Sequence, residues 1–230
     1  MQETSARPTV KLREELDKLC NEFVEWKEFQ GFERSGSPLG RELRRAMLNH
    51  HFIPTRRACW AYVQAASPID VKQVIWEHER EELVKDPRIG VAHVDLVDEK
   101  DWREPLPGVK AACYAWLHLA KDRPWLEALA ASHIVERQND PTVIKDGKTS
   151  IWRAVDQLMA EQGIDRVEDL PIESRAHLNA DTDHANLIWT VFERYVTDEE
   201  SYQQVMRGAR ESLDVFRAYR QAVALGEREL

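Results

Sequence analysis

Apolar residues recur along this chain at intervals of three and four and almost nowhere alternate strictly, the period of amphipathic helices rather than of strands. From about Leu12 to Gln30, Leu16, Leu19, Cys20 and Phe23 fall on one stripe, which Gly31 and the stretch from Gly36 to Pro38 interrupt. A shorter helix is predicted from Leu39 to His50, and Pro54 and Thr55 open another that runs through Trp60 and Val63. Ser67-Pro68-Ile69-Asp70 combines a cap residue, a proline at the first helical position and an early acid, which together signal a helix start. That helix is expected to reach Val84 or Lys85, where Asp86-Pro87 stops it.

The stretch from Arg88 to Gly108 is less regular, with a short helix expected near Val91 to Val97. Helices are then predicted from Val109 to Leu119 and, after Pro124, from Trp125 to Arg137. Asn139-Asp140-Pro141 and Asp146-Gly147 mark a loop. Further helices are predicted from Ser150 to Gln162, stopped by Gly163, and from Ile172 to Val196. A capping box at Thr197-Asp198-Glu199-Glu200 begins a last helix to about Leu225. The expectation is one all-α domain over residues 1–230, a bundle of about seven or more helices, with residues 1–9 disordered. No internal repeat or low-complexity segment interrupts it.

Composition narrows the function classes. With 43% hydrophobic and 32% charged residues the chain reads as soluble and globular. A net charge of −9 with both signs interspersed argues against nucleic acid as a partner. No apolar run is long enough for a membrane span, and the polar start from Met1 to Thr9 lacks a signal-peptide core. Cys20, Cys59 and Cys113 are odd in number, widely spaced and in no CxxC pair. They suggest reduced thiols and a cytoplasmic setting.

The chemistry concentrates in His177-Leu-Asn-Ala-Asp181-Thr-Asp-His184. Spacings of four and three put His177, Asp181 and His184 on one helix face, which continues through Ile188, Val191 and Tyr195 toward the core. Burying three titratable groups without partners is costly. A metal ion resolves the conflict, because imidazole and carboxylate suit iron and manganese. A solvated face near the helix start is the bland alternative. Glu136 lies seven residues after Leu129 on a helix apolar to that point, where a carboxylate needs a partner. In Glu77-His78-Glu79-Arg80-Glu81-Glu82, the stripe from Val71, Val74 and Ile75 reaches His78 and then Glu81 and Glu82. It leans toward Glu81, with Glu77 and Glu82 left open. Most acids in such a run are solvated, and His78 fits a hydrogen-bonded histidine better than a ligand. His93 follows the turn. Trp60, Trp76, Trp116, Trp152 and Trp189 are candidates to line a pocket, although core packing is the commoner role of such tryptophans. No Glu-x-x-His pair of the ferritin type has a suitable setting, and structural zinc would favour sulfur ligands.

These residues resemble the heme-oxygenase-like diiron oxidases and oxygenases. Their helical fold is shared with heme oxygenase, the TenA thiaminases and pyrroloquinoline quinone synthase. The resemblance runs from about Gly40 to Tyr219, and its most specific motif is the His-x3-Asp-x2-His matched by His177, Asp181 and His184. The family's mid-chain Glu is matched by Glu136, on a helix rich in small residues before Arg137-Gln138. Its earlier Glu and His are matched by Glu81 and His93 across Asp86-Pro87, over a gap longer than is usual in the family.

The resemblance implies a heme-oxygenase-like bundle holding two Fe(II) per chain, or Mn. Glu81, His93, Glu136, His177, Asp181 and His184 would be the ligands, with one carboxylate bridging. It further implies O2 and a small amino-acid- or carboxylate-type substrate, oxidised by C–C cleavage or N-oxygenation in a biosynthetic pathway. An electron donor and a homodimer formed through outer helix faces also belong to the expectation. No catalytic residue beyond the ligands and no organic cofactor is assigned. Two other readings stay open: a metal-independent enzyme of the TenA or quinone-synthase kind, and a non-catalytic helical binding protein. A thiaminase would need a nucleophilic cysteine deep in its pocket, and Cys113 has no supporting motif; a heme oxygenase would need a histidine on its first helix, and residues 10–30 hold none.

Overall fold

A computed structural model of the chain describes residues 8–26, 38–87, 90–92 and 102–228, with the side chains of 8, 38, 150, 154, 157, 161, 173, 174 and 176–184 outside that description. The described residues form an all-α bundle without a strand. Its helices are α1 (Pro8–Val24), α2 (Pro38–Met47), α3 (Ile53–Ala66), α4 (Ile69–Leu83), α5 (Pro107–Asp122), α6 (Trp125–Arg137), α7 (Ser150–Gln162), α8 (Ile172–Tyr195) and α9 (Glu199–Arg228). The first helix begins at Pro8 and ends at Val24, earlier at both ends than the apolar stripe suggested. The helix expected near Val91 to Val97 falls largely outside the described residues.

The break expected between His50 and Pro54 is not a break. Leu48–Phe52 is a π-helical turn, and helical backbone passes through it from α2 into α3. Pro54 has no N–H to donate four residues back and its ring crowds the carbonyl there. Widening the turn solves both problems, and the Ile53 N–H donates to the Leu48 carbonyl, five residues back. The Ser67 hydroxyl does not cap α4. It donates back to the Val63 carbonyl at 2.6 Å, closing α3, and Pro68 takes the N-cap position without a side-chain bond. At α9 the cap is Asp198, whose carboxylate accepts the Ser201 N–H at 2.8 Å, while the Ser201 hydroxyl accepts the Thr197 and Asp198 N–H groups.

Helix α9 lies across α5 and α6, and its widest packing is against α6. Gly208 makes that approach possible, since a Cβ there would lie 2.1 Å from the Glu127 carbonyl oxygen. Phe23, Phe52, Trp116, Phe216 and Tyr219 form an aromatic block beside it, with Phe52 stacked on Phe216 at 5.4 Å, Phe23 stacked on Phe216 at 5.2 Å, and Phe52 edge-on to Trp116 at 5.2 Å. The main core is continuous from α1 through α9, while Val155 and Leu170 anchor a smaller cluster under α7. No helix among the described residues is long and apolar enough to cross a membrane. Cys20, Cys59 and Cys113 are free and buried.

Candidate functional site

Three helices bring chemistry into the interior. Helix α3 packs on both α4 and α6, and α8 packs on α4 and α6. The buried stripe of α4 runs through Val71, Ile75, His78 and Glu79. On α6, thirteen residues rich in Ala and Leu are buried almost all round, which a helix tolerates only at the centre of a bundle. Glu136 therefore ends an interior helix with its side chain only 12% exposed.

Both Glu136 oxygens accept hydrogen bonds. The Trp60 indole N–H donates to Oε1 at 3.0 Å, and His78 Nε2 donates to Oε2 at 2.7 Å. The other His78 nitrogen, Nδ1, lies 2.9 Å from Glu79 Oε1, and its ring packs 4.5 Å from Trp60. Burial favours the neutral ring, but the charge of Glu136 and the hydrogen bonds to Glu136 and Glu79 prevail, raising the His78 pKa to about 9. At neutral pH the ring is an imidazolium held between two carboxylates.

Arg57 supplies a second interior cation. One of its terminal nitrogens lies 2.7 Å from Glu79 and 3.4 Å from Glu82, and the other 3.8 Å from Glu136. Burial opposes its charge, and Glu82, Glu79 and Glu136 more than compensate, so its pKa is raised. Arg56, one residue earlier, is only 3% exposed and donates to the Ser132 carbonyl at 2.6 Å. One turn before Glu136, His133 is fully buried and edge-on to Phe192 at 5.2 Å. Neither of its ring nitrogens has a hydrogen-bond partner among the described residues. Burial, then the neighbouring Arg137 charge, lowers its pKa to about 3, so the ring is neutral.

The expected ligands divide accordingly. Glu136 lies in this cluster, and Glu81 is half-buried on α4. Of the residues left open beside Glu81, Glu82 joins the Arg57 cluster, whereas Glu77 is an exposed partner of Arg80 at 3.2 Å and points away from it. His177, Asp181 and His184 sit on α8, as expected, with their side chains outside the described residues, and His93 lies outside them altogether. Among the described residues no group of three or more His, Cys, Asp and Glu side chains is disposed to hold a metal ion.

His78 is the hydrogen-bonded histidine the sequence suggested. Arg56, Arg57, Glu79 and His133 were not anticipated. Asp86, read only as a helix stop, is a fully buried acid. Of the tryptophans, Trp60 belongs to the site, Trp116 and Trp189 are core, Trp152 joins the cluster under α7, and Trp76 is half exposed. Burial raises the Cys59 and Cys113 thiols, which suits them poorly as nucleophiles.

No family model matches the chain. No curated protein matches it. Among solved structures it is similar to a CADD-like protein of unknown function from Nostoc punctiforme PCC 73102, with a TM-score of 0.70 and 16% identity over 95% of this chain and 97% of that one. The likeness is one of fold.

Proposed function

We propose that the chain is a non-heme diiron oxidase or oxygenase of the heme-oxygenase-like type, acting with O2 on a small amino-acid- or carboxylate-type substrate. One observation carries the reading: Glu79, Glu82 and Glu136 converge within 4 Å of a single guanidinium inside the bundle, on helices α4 and α6 that both pack against the helix bearing His177, Asp181 and His184. An acid-rich interior already built around a cation suits divalent iron.

Glu81, His93, Glu136, His177, Asp181 and His184 would hold the metal, which when bound supplies the one-electron and oxygen chemistry that side chains lack. The chain's own groups do the rest. Trp60 and His78 fix the orientation of the Glu136 carboxylate from opposite oxygens, as neighbours of metal ligands commonly do. Trp60, fully buried, covers the Oε1 side of Glu136 against water.

Anaerobic Fe(II) titration tests the reading, followed by mixing with O2 under stopped-flow absorbance and Mössbauer spectroscopy. Two irons per chain and a transient visible band are expected, with loss of metal in His177→Ala, Asp181→Ala and Glu136→Ala. Full iron uptake by those variants would sink the ligand assignment. The completeness of the ion cluster, with Arg57 and His78 set against its acids, is what favours the metal-independent enzyme as a second reading. That reading expects turnover in the presence of chelator and no iron uptake.

A further inference from the structure

We propose that Arg57 is a built-in counter-cation of the site, which holds the acidic side chains together in the metal-free chain and competes with the metal for them. The inference rests on the diiron reading above. Its ground is geometric. The two terminal nitrogens of one guanidinium reach acids on two different helices, Glu79 and Glu82 of α4 on one side and Glu136 of α6 on the other. A planar fork can span such a pair of positions, and a point-charge ammonium cannot. The Arg57 side chain is only 15% exposed, so this cation does not belong to a solvated surface network. Its Nε, also buried, has no acceptor among the described residues, and the hydrogen bonds and ion pairs described for the group go to those carboxylates.

Two consequences follow. Without metal, three carboxylates in a largely buried space repel one another unless cations sit among them; His78 lies between Glu79 and Glu136, and Arg57 adds the charge that also reaches Glu82. With metal, the Arg57 charge stands a few ångströms from an incoming divalent ion and lowers its affinity. Glu136 is the shared group, being both a candidate ligand and an Arg57 partner. Arg57 thus ties metal uptake to release of its hold on Glu136, and it positions the acid before the metal arrives.

The experiment uses the full-length chain and Mn(II), followed by the electron paramagnetic resonance signal of the free ion, with thermal unfolding in parallel. Arg57→Gln is expected to bind Mn(II) about tenfold or more tighter than the wild type and to unfold at lower temperature without metal, with the gap closing as metal is added. Arg57→Lys retains a charge to support folding but cannot span both helices, and its affinity is expected between the two. Equal or weaker binding by folded Arg57→Gln, or by Arg57→Lys should the glutamine variant not fold, overturns the proposal and leaves the diiron reading intact. Absence of Mn(II) and Fe(II) binding in wild type and variants alike overturns both.

Discussion

Two buried histidines in this site respond to acid in opposite directions, and replacing one of them separates the effects. An unfolded imidazole titrates near 6.5. His133 has a folded pKa of about 3, below that value, so its contribution to stability is present above about pH 6.5 and is lost as the pH falls toward 3. His78 has a folded pKa of about 9, so its contribution is complete below about pH 6.5 and is lost as the pH rises through 9. Between about pH 7.5 and pH 5, His133 costs about 2 kcal/mol while His78 offsets much of that, by linkage. The wild type should therefore change little across that interval on account of these two residues. His133→Leu removes the losing side. Its unfolding free energy relative to wild type should rise by about 2 kcal/mol between pH 7.5 and pH 5, measured by urea denaturation of the metal-free protein at each pH. Parallel profiles for the two proteins would show that His133 is not held neutral by burial in this core.

Further expectations concern the packing that builds the site. Gly208→Ala should destabilise the chain by about 1–3 kcal/mol or more, because its Cβ would meet the Glu127 backbone at 2.1 Å and α9 would have to lift from α6; a thermal midpoint within error of wild type would contradict that close crossing. Gly163→Ala has open space around its Cβ but a φ of +66° at the end of α7, so only the backbone cost of about 1 kcal/mol is expected in chemical denaturation. Trp60→Phe removes a fully buried indole and its bond to Glu136, and a loss of about 2 kcal/mol is expected by the same measurement. Chelator treatment should lower the thermal midpoint of iron-loaded wild type and leave His177→Ala unchanged, since only a chain that binds metal gains stability from it.

Much of the fold was legible because its punctuation is chemical. Pro124 and Gly163 bound α6 and α7 where the sequence placed them, and the buried α6 face showed in its run of Ala and Leu. Pro54 misled, because a proline can be accommodated by a wider turn as well as by a new start. The acids of α4 were harder. Counting from Val74 leaned toward Glu81, yet Val74 is only partly buried and the interior stripe follows Val71, Ile75, His78 and Glu79. A difference of one position in phase exchanges neighbouring glutamates, and hydropathy alone has no means to choose among them. Arg56 and Arg57 gave no local signal at all, since arginine belongs to the surface by default. Only tertiary packing against α4 and α6 makes them interior. His133 was hidden within an apolar run for the same reason.

The π turn at Leu48–Phe52 sets the angular phase of the helix that follows it. It amounts to one surplus residue in an otherwise continuous helix, and each residue rotates an α-helix by about 100°. Removing a single residue from 48–52 would let the turn tighten to ordinary helix with the phase beyond it kept, whereas tightening it with every residue retained would swing everything beyond it around the axis. Arg56, Arg57 and Trp60, which now face α4 and α6, would be carried round together to another side. The angular phase of three site residues thus depends on the width of one turn that contributes none of them.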